Sequence, residues 1–487
     1  MSSQKSVLKT ALASADAPRL VRLLACSVLH LLVFVSLSTQ AEAAQEFARA
    51  TVIERVVCAA DASQSYALYL PSNYTTARRW PIIYGFDPAA RGRVPVELFR
   101  EAAEKYGFIL VGSNNSRNGS DVDLTAVVKA LWDDTHARFS IDGRRVYAAG
   151  MSGGARVAFA FARSYGGRVA GVMGFGAGFP PGLAPSREMP FVVYAAAGAD
   201  DFNQPELFRL DNALDDLGIA HRVETFEGGH EWPPNVYATR SVEWMEIQAM
   251  RAGVRERDET FVAEQLARAL KEARAFETAG DFYNAHAAYR ALSLFKGLQE
   301  TAEFERAATR IRESKEFKAA FAREREAASQ QQRRATELDA LARALESAVE
   351  NRFEAETNLR DAIKTLRRQA AASNDSTARR IARRVLEGFS VQVFQEVGEL
   401  FRRGEYARAA TRLEVVAEVK PEDAGARYVL ARAYALGGRK KKALDALREA
   451  VERGFKDSAR VEQNRDFDAL RGEAAYKRLV EELKQKN

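Results

Sequence analysis

Ser152 has neighbours that suit a nucleophile. It stands at the centre of Gly150-Met-Ser-Gly-Gly154, which follows an apolar run at residues 146–149. A Gly-x-Ser-x-Gly turn between a strand and a helix lifts the serine oxygen off the end of a sheet, and its glycines let the two elements pass closely. The pattern predicts a nucleophilic Ser152 and an oxyanion held by the N–H of Gly153. Because small-residue turns without chemistry share this pattern, the rest of the chain has to supply a base and an acid.

A serine hydroxyl needs a histidine to take its proton. The chain has five histidines, of which His30 lies in the N-terminal segment and His286 in a helical region near the middle of the chain. His136 and His221 precede predicted strands, so both belong to the opposite end of the sheet from the serine. His230 follows a predicted strand, and it is therefore the candidate base.

The acid that orients such a histidine is expected after another strand of the same sheet. Asp200 and Asp201 follow an apolar run at residues 191–195. Serine, aspartate and histidine then occur in the chain order of the α/β-hydrolase triad. Residues 50–250 resemble α/β-hydrolases of the secreted esterase, polyhydroxyalkanoate-depolymerase and dienelactone-hydrolase type, which place the acid in a Gly-x-x-Asp turn and the base in a Gly-Gly-His turn. The resemblance assigns the acid role to Asp201, with Asp200 as the alternative, and implies neither a metal nor an organic cofactor.

The second oxyanion donor departs from the pattern of that family. Those hydrolases carry His-Gly after the third strand, whereas this chain has Tyr-Gly-Phe-Asp-Pro-Ala-Ala-Arg-Gly at residues 84–92. Pro88 has no N–H, so the N–H of Asp87 or Ala89 has to donate. The Asp87 carboxylate would disfavour a nearby oxyanion unless it turns away, and Arg91 could neutralise it.

A polar loop at residues 112–119 follows another predicted strand and faces the same edge of the sheet. Its Asn114, Asn115 and Arg117 are candidates for lining a polar substrate pocket. Asparagine and glycine are also ordinary turn residues, and the sequence favours neither interpretation.

The elements that must position these residues alternate along the chain. Apolar runs predict strands, and segments with helical periodicity lie between them. This alternation predicts an α/β fold with a mostly parallel sheet, right-handed crossovers and ligands bound at the carboxyl ends of the strands. Predicted strands cover residues 66–70, 81–86, 107–112, 146–149, 169–175, 191–195 and 222–226, and predicted helices cover residues 98–106, 122–139, 204–217 and 237–250, with one more helix after Ser152.

The composition changes near residue 252, beyond which Ala, Glu, Arg, Lys and Leu predominate. We predict an α/β-hydrolase domain at residues 44–252, a helical region with long charged helices and one repeat-like unit at 253–395, and tetratricopeptide-like repeats at 396–487. The repeats are indicated by pairs that lie 34 positions apart (438 − 404, 443 − 409, 447 − 413), namely Gly404 and Gly438, Ala409 and Ala443, and Leu413 and Leu447.

The N-terminal residues 1–43 have the features of a secretory signal peptide. Basic residues precede an apolar run at 23–37, and Ala41-Glu-Ala43 fits a cleavage site. An uncleaved membrane anchor is the alternative, although the run is shorter than the roughly 20 residues that a span needs. The formal net charge of +6 on 487 residues is too small to indicate a nucleic-acid partner.

Together these observations predict an exported, periplasmic or secreted serine hydrolase that acts on small-molecule or polymeric carboxylic esters. The helical repeats are expected either to bind a protein partner or only to pack on the catalytic domain. No nucleic-acid partner is expected, and no stable membrane anchor after cleavage. Two alternatives stay open, a catalytically impaired scaffold that binds proteins through its repeats and a serine peptidase.

Overall fold

The computed structural model describes residues 47–119, 122–347, 351–372 and 376–485. The predicted signal peptide at residues 1–43 lies outside these ranges. Residues Arg49–Asn487 group into one compact unit. Within the ranges described, no helix is both long enough and apolar enough to cross a membrane.

Eight strands form one sheet in the order β1-β2-β4-β3-β5-β6-β7-β8. The second strand, β2, runs antiparallel to both of its neighbours, β1 and β4. Every other neighbouring pair in this order is parallel, namely β4 with β3, β3 with β5, β5 with β6, β6 with β7 and β7 with β8. The carboxyl ends of the parallel strands therefore meet at one edge. The strands are β1 Val52–Val57, β2 Ser65–Tyr69, β3 Trp80–Phe86, β4 Ile109–Ser113, β5 Ile141–Met151, β6 Gly171–Phe175, β7 Val192–Gly198 and β8 His221–Phe226.

Helices cover both faces of this sheet, which is why its inner strands are continuous apolar runs. Every residue of β3, β4 and β6 is buried. Trp132 and Phe161 pack on Tyr84 from one face, while Phe99 and Val242 join the core on the other. The helices of this part are α1 Arg93–Tyr106, α2 Leu124–Arg138, α3 Gly153–Ser164, α4 Gln204–Leu217 and α5 Asn235–Arg251. The predicted fold class is therefore confirmed.

The edge strand β1 was not among the predicted strands. It pairs antiparallel with β2, and its register shifts between Ile53 and Val56. Two charged residues, Glu54 and Arg55, lie in the middle of this strand and are exposed. An edge strand tolerates them because one of its sides is open to solvent. Its sequence consequently lacks the apolar run by which the inner strands are identified.

The rest of the chain is helical. The helices are α6 Glu259–Thr278, α7 Phe282–Ser293, α8 Ala302–Glu313, α9 Lys315–Ser347, α10 Arg352–Ala372, α11 Ser376–Arg402, α12 Tyr406–Val419, α13 Ala424–Leu436, α14 Lys440–Glu452, α15 Ser458–Gln463 and α16 Ala474–Gln485, with a 3-10 helix at Arg465–Leu470. Aspartate side chains accept hydrogen bonds from the first turns of α6, α7, α13 and α15, and these bonds define where those helices begin. Ala409, Leu413, Ala443 and Leu447, which carry the 34-residue spacing, are all fully buried.

A buried cluster of charged and polar side chains joins the helical part to the sheet part. Asp211 of α4 is 4% exposed, and its carboxylate accepts hydrogen bonds from Arg290 and Tyr283 of α7. His221 Nε2 lies 3.0 Å from Asp211 Oδ1. Burial alone would raise the pKa of Asp211, but Arg290 and His221 lower it well below its ordinary value. The ionised carboxylate of Asp211 therefore takes part in the contact between the sheet part and the helical part.

Candidate active site

The turn at Ser152 has the strained geometry of a nucleophile elbow. Ser152 has φ 53° and ψ −120°, a conformation that a residue with a side chain rarely adopts. A Cβ on Gly150 would lie 2.1 Å from Gly154 O, and one on Gly154 would lie 1.9 Å from Phe86 O. Glycine is therefore required at both positions for β3, β5 and α3 to meet. Because α3 begins at Gly153, the positive end of the helix dipole lies beside the serine.

A chain of hydrogen bonds runs from Ser152 through His230 to Asp201. His230 Nε2 lies 2.8 Å from Ser152 Oγ, and His230 Nδ1 lies 2.8 Å from Asp201 Oδ1. Asp201 is fully buried, and the His230 side chain is 8% exposed. Backbone hydrogen bonds from Ala199 N to Phe226 O and from Asp200 N to Gly228 O join the loop of the aspartate to the loop of the histidine.

The two aspartates that the sequence left open have different surroundings. Asp201 Oδ1 also accepts a hydrogen bond of 2.7 Å from Asn203 N, and its other oxygen lies 2.9 Å from where a Cβ on Gly176 would be. The carboxylate of Asp200 points away and pairs with Arg383 of α11 at 2.9 Å. Only Asp201 contacts His230.

The Asp87 carboxylate is turned away from the serine and is fully buried. It receives two hydrogen bonds of 2.9 Å from the Arg91 guanidinium, one of 2.9 Å from Trp232 Nε1 and one of 2.9 Å from Ala89 N. Burial alone would raise the pKa of Asp87, but the hydrogen bonds from Arg91 and Trp232 lower it below its ordinary value. Since the N–H of Ala89 is used, the N–H of Asp87 is the available backbone donor of this loop. Its nitrogen lies 3.3 Å from where a Cβ on Gly154 would be, beside the elbow.

The structure does not bring two of the three predicted substrate-binding residues into the site. Asn114 Nδ2 donates to Glu54 O at 3.0 Å, and Asn115 exchanges hydrogen bonds with the backbone of Ser63 and Ser65. Both asparagines fix the loop to the neighbouring β1–β2 segment, which is the ordinary turn chemistry of this residue type. Arg117 does line the cleft at Ser152.

Ser152 opens into a cleft of about 1340 Å³ that has walls from both parts of the chain. On the sheet side, the cleft is lined by residues of α2 and α3 and by the loop of Asn118, whose Oδ1 lies 1.8 Å from where a Cβ on Gly153 would be. On the other side it is lined by α9 and α11. This volume exceeds the roughly 300–1,000 Å³ of ordinary small-molecule pockets.

Helices α9 and α11 also contact the loop that carries Asp201. Gln331 Nε2 donates to Phe202 O at 2.7 Å, and Arg384 Nε donates to Ala199 O at 2.9 Å. The Phe202 ring lies 4.1 Å from the His230 ring, and a Cβ on Gly388 of α11 would lie 3.1 Å from Phe202 Cβ. The helical part of the chain thus supports the acid and the base as well as covering the cleft.

Sequence reasoning missed these contacts because they join residues more than 125 positions apart. Gln331, Arg384 and Gly388 lie in the region at 253–395, for which the sequence predicted long charged helices and no residue of the site. One signal was available, namely that Gly388 lies inside the helical pattern of α11, since glycine is unfavourable within a helix without a packing or functional reason.

No group of three or more His, Cys, Asp or Glu side chains in the described ranges is arranged to hold a metal ion.

Comparison with known proteins identifies a repeat in the helical part of the chain. A model of the tetratricopeptide repeat matches residues 400–463, which confirms the repeats predicted there. No curated protein matches the chain. The sheet part is an α/β domain with one mostly parallel eight-stranded sheet, which is the fold class that the sequence predicts.

Solved structures similar to this chain include three α/β enzymes. An S-formylglutathione hydrolase from Staphylococcus aureus is 15% identical, with a TM-score of 0.30 over 37% of this chain and 90% of that one. A ferulic acid esterase is 15% identical, with a TM-score of 0.33 over 39% and 94%. A carboxylesterase from Bacillus cereus is 15% identical, with a TM-score of 0.32 over 38% and 95%. Similarity at this level carries no information on activity.

Proposed function

We propose that the protein is a serine hydrolase that cleaves carboxylic esters through a triad of Ser152, His230 and Asp201. The observation that carries the proposal is the continuous hydrogen-bonded chain through these three side chains, with both distances at 2.8 Å. A buried aspartate, an oriented imidazole and a strained serine on one edge of a sheet form the arrangement that activates a hydroxyl for acyl transfer.

The proposed reaction proceeds through an acyl-enzyme. Ser152 Oγ attacks the ester carbonyl carbon while His230 Nε2 takes the hydroxyl proton, and the carbonyl oxygen becomes an oxyanion. His230 then gives this proton to the departing alcohol as the carbonyl re-forms. A water molecule attacks the acyl group with His230 again as base, and the acid leaves as Ser152 recovers its proton. Asp201 holds the Nδ1–H tautomer and stabilises the imidazolium.

The proposed oxyanion hole consists of the N–H groups of Gly153 and Asp87. Gly153 is the first residue of α3, so its N–H is not used by the helix. The contacts of the Asp87 carboxylate with Arg91 and Trp232 support the proposal, because they neutralise a negative charge that would otherwise oppose the oxyanion.

The test is covalent labelling of the full chain by a fluorophosphonate, with peptide mass spectrometry to locate the modified residue. We expect label on Ser152, and kcat/KM for 4-nitrophenyl acetate should fall by at least about 10³-fold in Ser152→Ala. Ser293→Ala, at the end of α7 and outside the lining of the cleft, is the matched control and should retain both. A folded protein that takes up no label would refute the proposal.

Export is part of this proposal and is supported by the sequence of residues 1–43. The expected result is a mature protein whose N-terminal residue, determined by mass spectrometry after expression with its own leader, lies just beyond Ala43. A full-length N-terminus on membrane-bound protein would instead indicate an uncleaved anchor.

A second role is proposed for the repeats at residues 400–463. They match a repeat that commonly mediates protein interactions, and this match favours a protein partner for the C-terminal part. Capture experiments with the full chain, compared with a variant whose repeat surface is altered by Lys441→Glu and Arg448→Glu, would test it. Identical capture by both proteins would count against these repeats as the binding surface.

A further inference from the structure

Two arginines of the described chain are almost fully buried, and their surroundings differ. Arg412 is 3% exposed, and its guanidinium pairs with three carboxylates, those of Asp339, Glu346 and Glu396. Arg384 of α11 is 7% exposed, and no carboxylate of the described ranges lies within ion-pair distance of it. Because burying a charge is costly, buried charges in proteins are normally paired. Arg384 is therefore a buried cation to which the described part of the chain supplies no counter-ion.

The hydrogen bonds of Arg384 do not account for its charge. Its Nε and Nη2 both donate to the backbone carbonyl of Ala199. Another carbonyl of the same loop, Phe202 O, receives its hydrogen bond of 2.7 Å from the neutral amide of Gln331. Burial lowers the pKa of Arg384, and this effect outweighs the opposite influence of the acids around it. A neutral donor thus suffices to hold this loop, and the charge of Arg384 needs a different explanation.

The cleft of the proposed nucleophile has a positively charged lining. Among its described residues are no carboxylate and four arginines, namely Arg117, Arg156, Arg384 and Arg402. The other polar groups along it are neutral amides and hydroxyls. Arg156 is balanced by Glu206 outside the lining. Arg402 shares one carboxylate, that of Glu399, with Arg403. Because a cleft lined by one sign of charge concentrates ions of the other sign, this lining favours an anion over a cation.

Arg384 lies on the triad side of this cleft. Gly388 is one turn farther along α11, and a Cβ on it would lie 3.1 Å from Phe202 Cβ. The Phe202 ring in turn lies 4.1 Å from the His230 ring. A group bound at Arg384 is therefore near the ester carbonyl that Ser152 attacks, and at a fixed distance from it.

We propose that Arg384 binds a carboxylate of the substrate, and that the helical part of the chain thereby directs Ser152 to anionic esters. The two oxygens of a carboxylate match the planar fork of a guanidinium. Arg384 Nη1 has no hydrogen-bond partner in the described part of the chain, so it is available for this contact. The assignment rests on the proposed serine hydrolase and names its substrate class as esters that carry a carboxylate near the bond to be cleaved.

The experiment measures kcat/KM of the full chain for two series of 4-nitrophenyl esters, after subtraction of the spontaneous rate. One series consists of half-esters of dicarboxylic acids from succinate to sebacate, and the other ends in a methyl group at the same acyl length. At the length that reaches Arg384, the carboxylate ester should exceed the methyl ester in kcat/KM by at least about tenfold. Sodium chloride at about 0.5 M should reduce this preference, because salt screens charges. An ester that ends in trimethylammonium should react more slowly than the methyl ester.

Arg384→Gln tests the residue itself. Glutamine keeps a donor for Ala199 O and removes the charge, so the two series should then agree within about twofold, whereas Arg384→Lys should keep part of the preference. A displaced Asp201 lowers kcat/KM for both series alike, so their ratio separates binding of the carboxylate from positioning of the triad. Arg380→Gln, one turn earlier on α11, is the matched control. It removes the same charge outside the lining of the cleft and should keep the full preference.

Two results would overturn the proposal while labelling of Ser152 still stood. One is the absence of any preference for the carboxylate series in the native protein, and the other is an equal preference in the native protein and in Arg384→Gln. The length and salt series use the native chain, so they do not depend on the folding of a variant.

Binding without turnover separates the two proposals. In calorimetry, the methyl half-ester of the preferred dicarboxylic acid should bind the Ser152→Ala protein at least about tenfold more tightly than the neutral methyl ester of the same length. Arg384→Gln in that background should remove the difference, and an unchanged difference would exclude Arg384 as the carboxylate site whatever the activity assays give. Absence of fluorophosphonate labelling together with Arg384-dependent binding would refute only the serine chemistry.

Discussion

Replacing Arg384 by alanine tests whether the helical part of the chain positions the catalytic acid. Arg384 is 7% exposed, and its Nε and Nη2 both donate to Ala199 O, two residues before Asp201. Alanine would leave this buried carbonyl without its donors. A hydrogen bond to a charged group contributes about 1.5–3 kcal/mol.

A second effect reduces the cost of this replacement. Burial lowers the pKa of Arg384 below its ordinary value, because the charged guanidinium loses part of its solvation in the folded protein. This loss of solvation is an unfavourable contribution to the free energy of folding. Removing the charge recovers part of that energy, and the net loss of unfolding free energy should be about 1–2 kcal/mol. The effect on catalysis should be larger, because a displacement of about 1 Å in a catalytic group can lower a rate by roughly 10²-fold.

The assays are urea denaturation of the full chain and the pH dependence of kcat for 4-nitrophenyl acetate. We expect kcat to fall by about 10- to 100-fold in Arg384→Ala, with a changed pH profile of kcat, and partial recovery in Arg384→Lys. Arg380→Ala is the matched control, one turn earlier on α11, because its partner Glu227 is 87% exposed in its side chain. It should change stability by less than about 1 kcal/mol and kcat by less than about twofold.

Two results would refute this reasoning. One is an Arg384→Ala protein whose kcat and pH profile match those of Arg380→Ala. The other is a loss of stability in Arg384→Ala with an unchanged pH profile, which would make Arg384 a packing residue without influence on His230.

Three further predictions concern aspartates with different surroundings. Asp201→Asn should lower kcat for a short ester by about 10⁴-fold, whereas Asp200→Asn should change it by less than about tenfold, as measured by steady-state kinetics. Asp87→Ala frees the loop that carries the proposed second oxyanion donor and should lower kcat by about 10²- to 10³-fold with little change in KM. Asp211→Asn removes the nearer carboxylate of the buried Arg290 and leaves Asp215 at 3.4 Å, so it should lower the unfolding free energy by about 1.5–3 kcal/mol in urea titrations. Because the folded-state pKa of Asp211 is depressed, its contribution is present above the unfolded pKa of about 3.9 and is lost as pH falls below it, so Asp211→Asn should weaken the acid dependence of stability in that range.

Most of the sheet could be predicted because its signals are local. The apolar runs of the inner strands and the turn at Ser152 each lie within a few neighbouring residues. General rules of chain crossover then place the carboxyl ends of the parallel strands at one edge of the sheet. His230 and the two aspartates, which follow predicted strands, could therefore be assigned to this edge from the sequence. The choice of Asp201 over Asp200 came from a family resemblance, since sequence position alone does not distinguish adjacent residues.

The predictions failed or stayed open where tertiary contacts decide the role of a polar side chain. Asn114 and Asn115 fit a substrate pocket by composition, but the neighbouring backbone of β1 and β2 uses their amides. The pairing of the Asp87 carboxylate with Arg91 was offered by the sequence, whereas its hydrogen bond from Trp232, 145 positions away, had no local signal. The covering of the cleft by α9 and α11 had no local signal except Gly388 of α11.

Helix α11 belongs to both halves of the molecule, and this limits where the chain can be divided. Its first half contacts the loops of Asp201 and His230, and its last residues fall within the segment at 400–463 that matches a tetratricopeptide repeat. A substitution in this helix can therefore affect the proposed active site at one end and the packing of the repeats at the other. A boundary drawn at residue 400 for exchange of the repeats would cut through α11, the helix that forms part of the cleft wall.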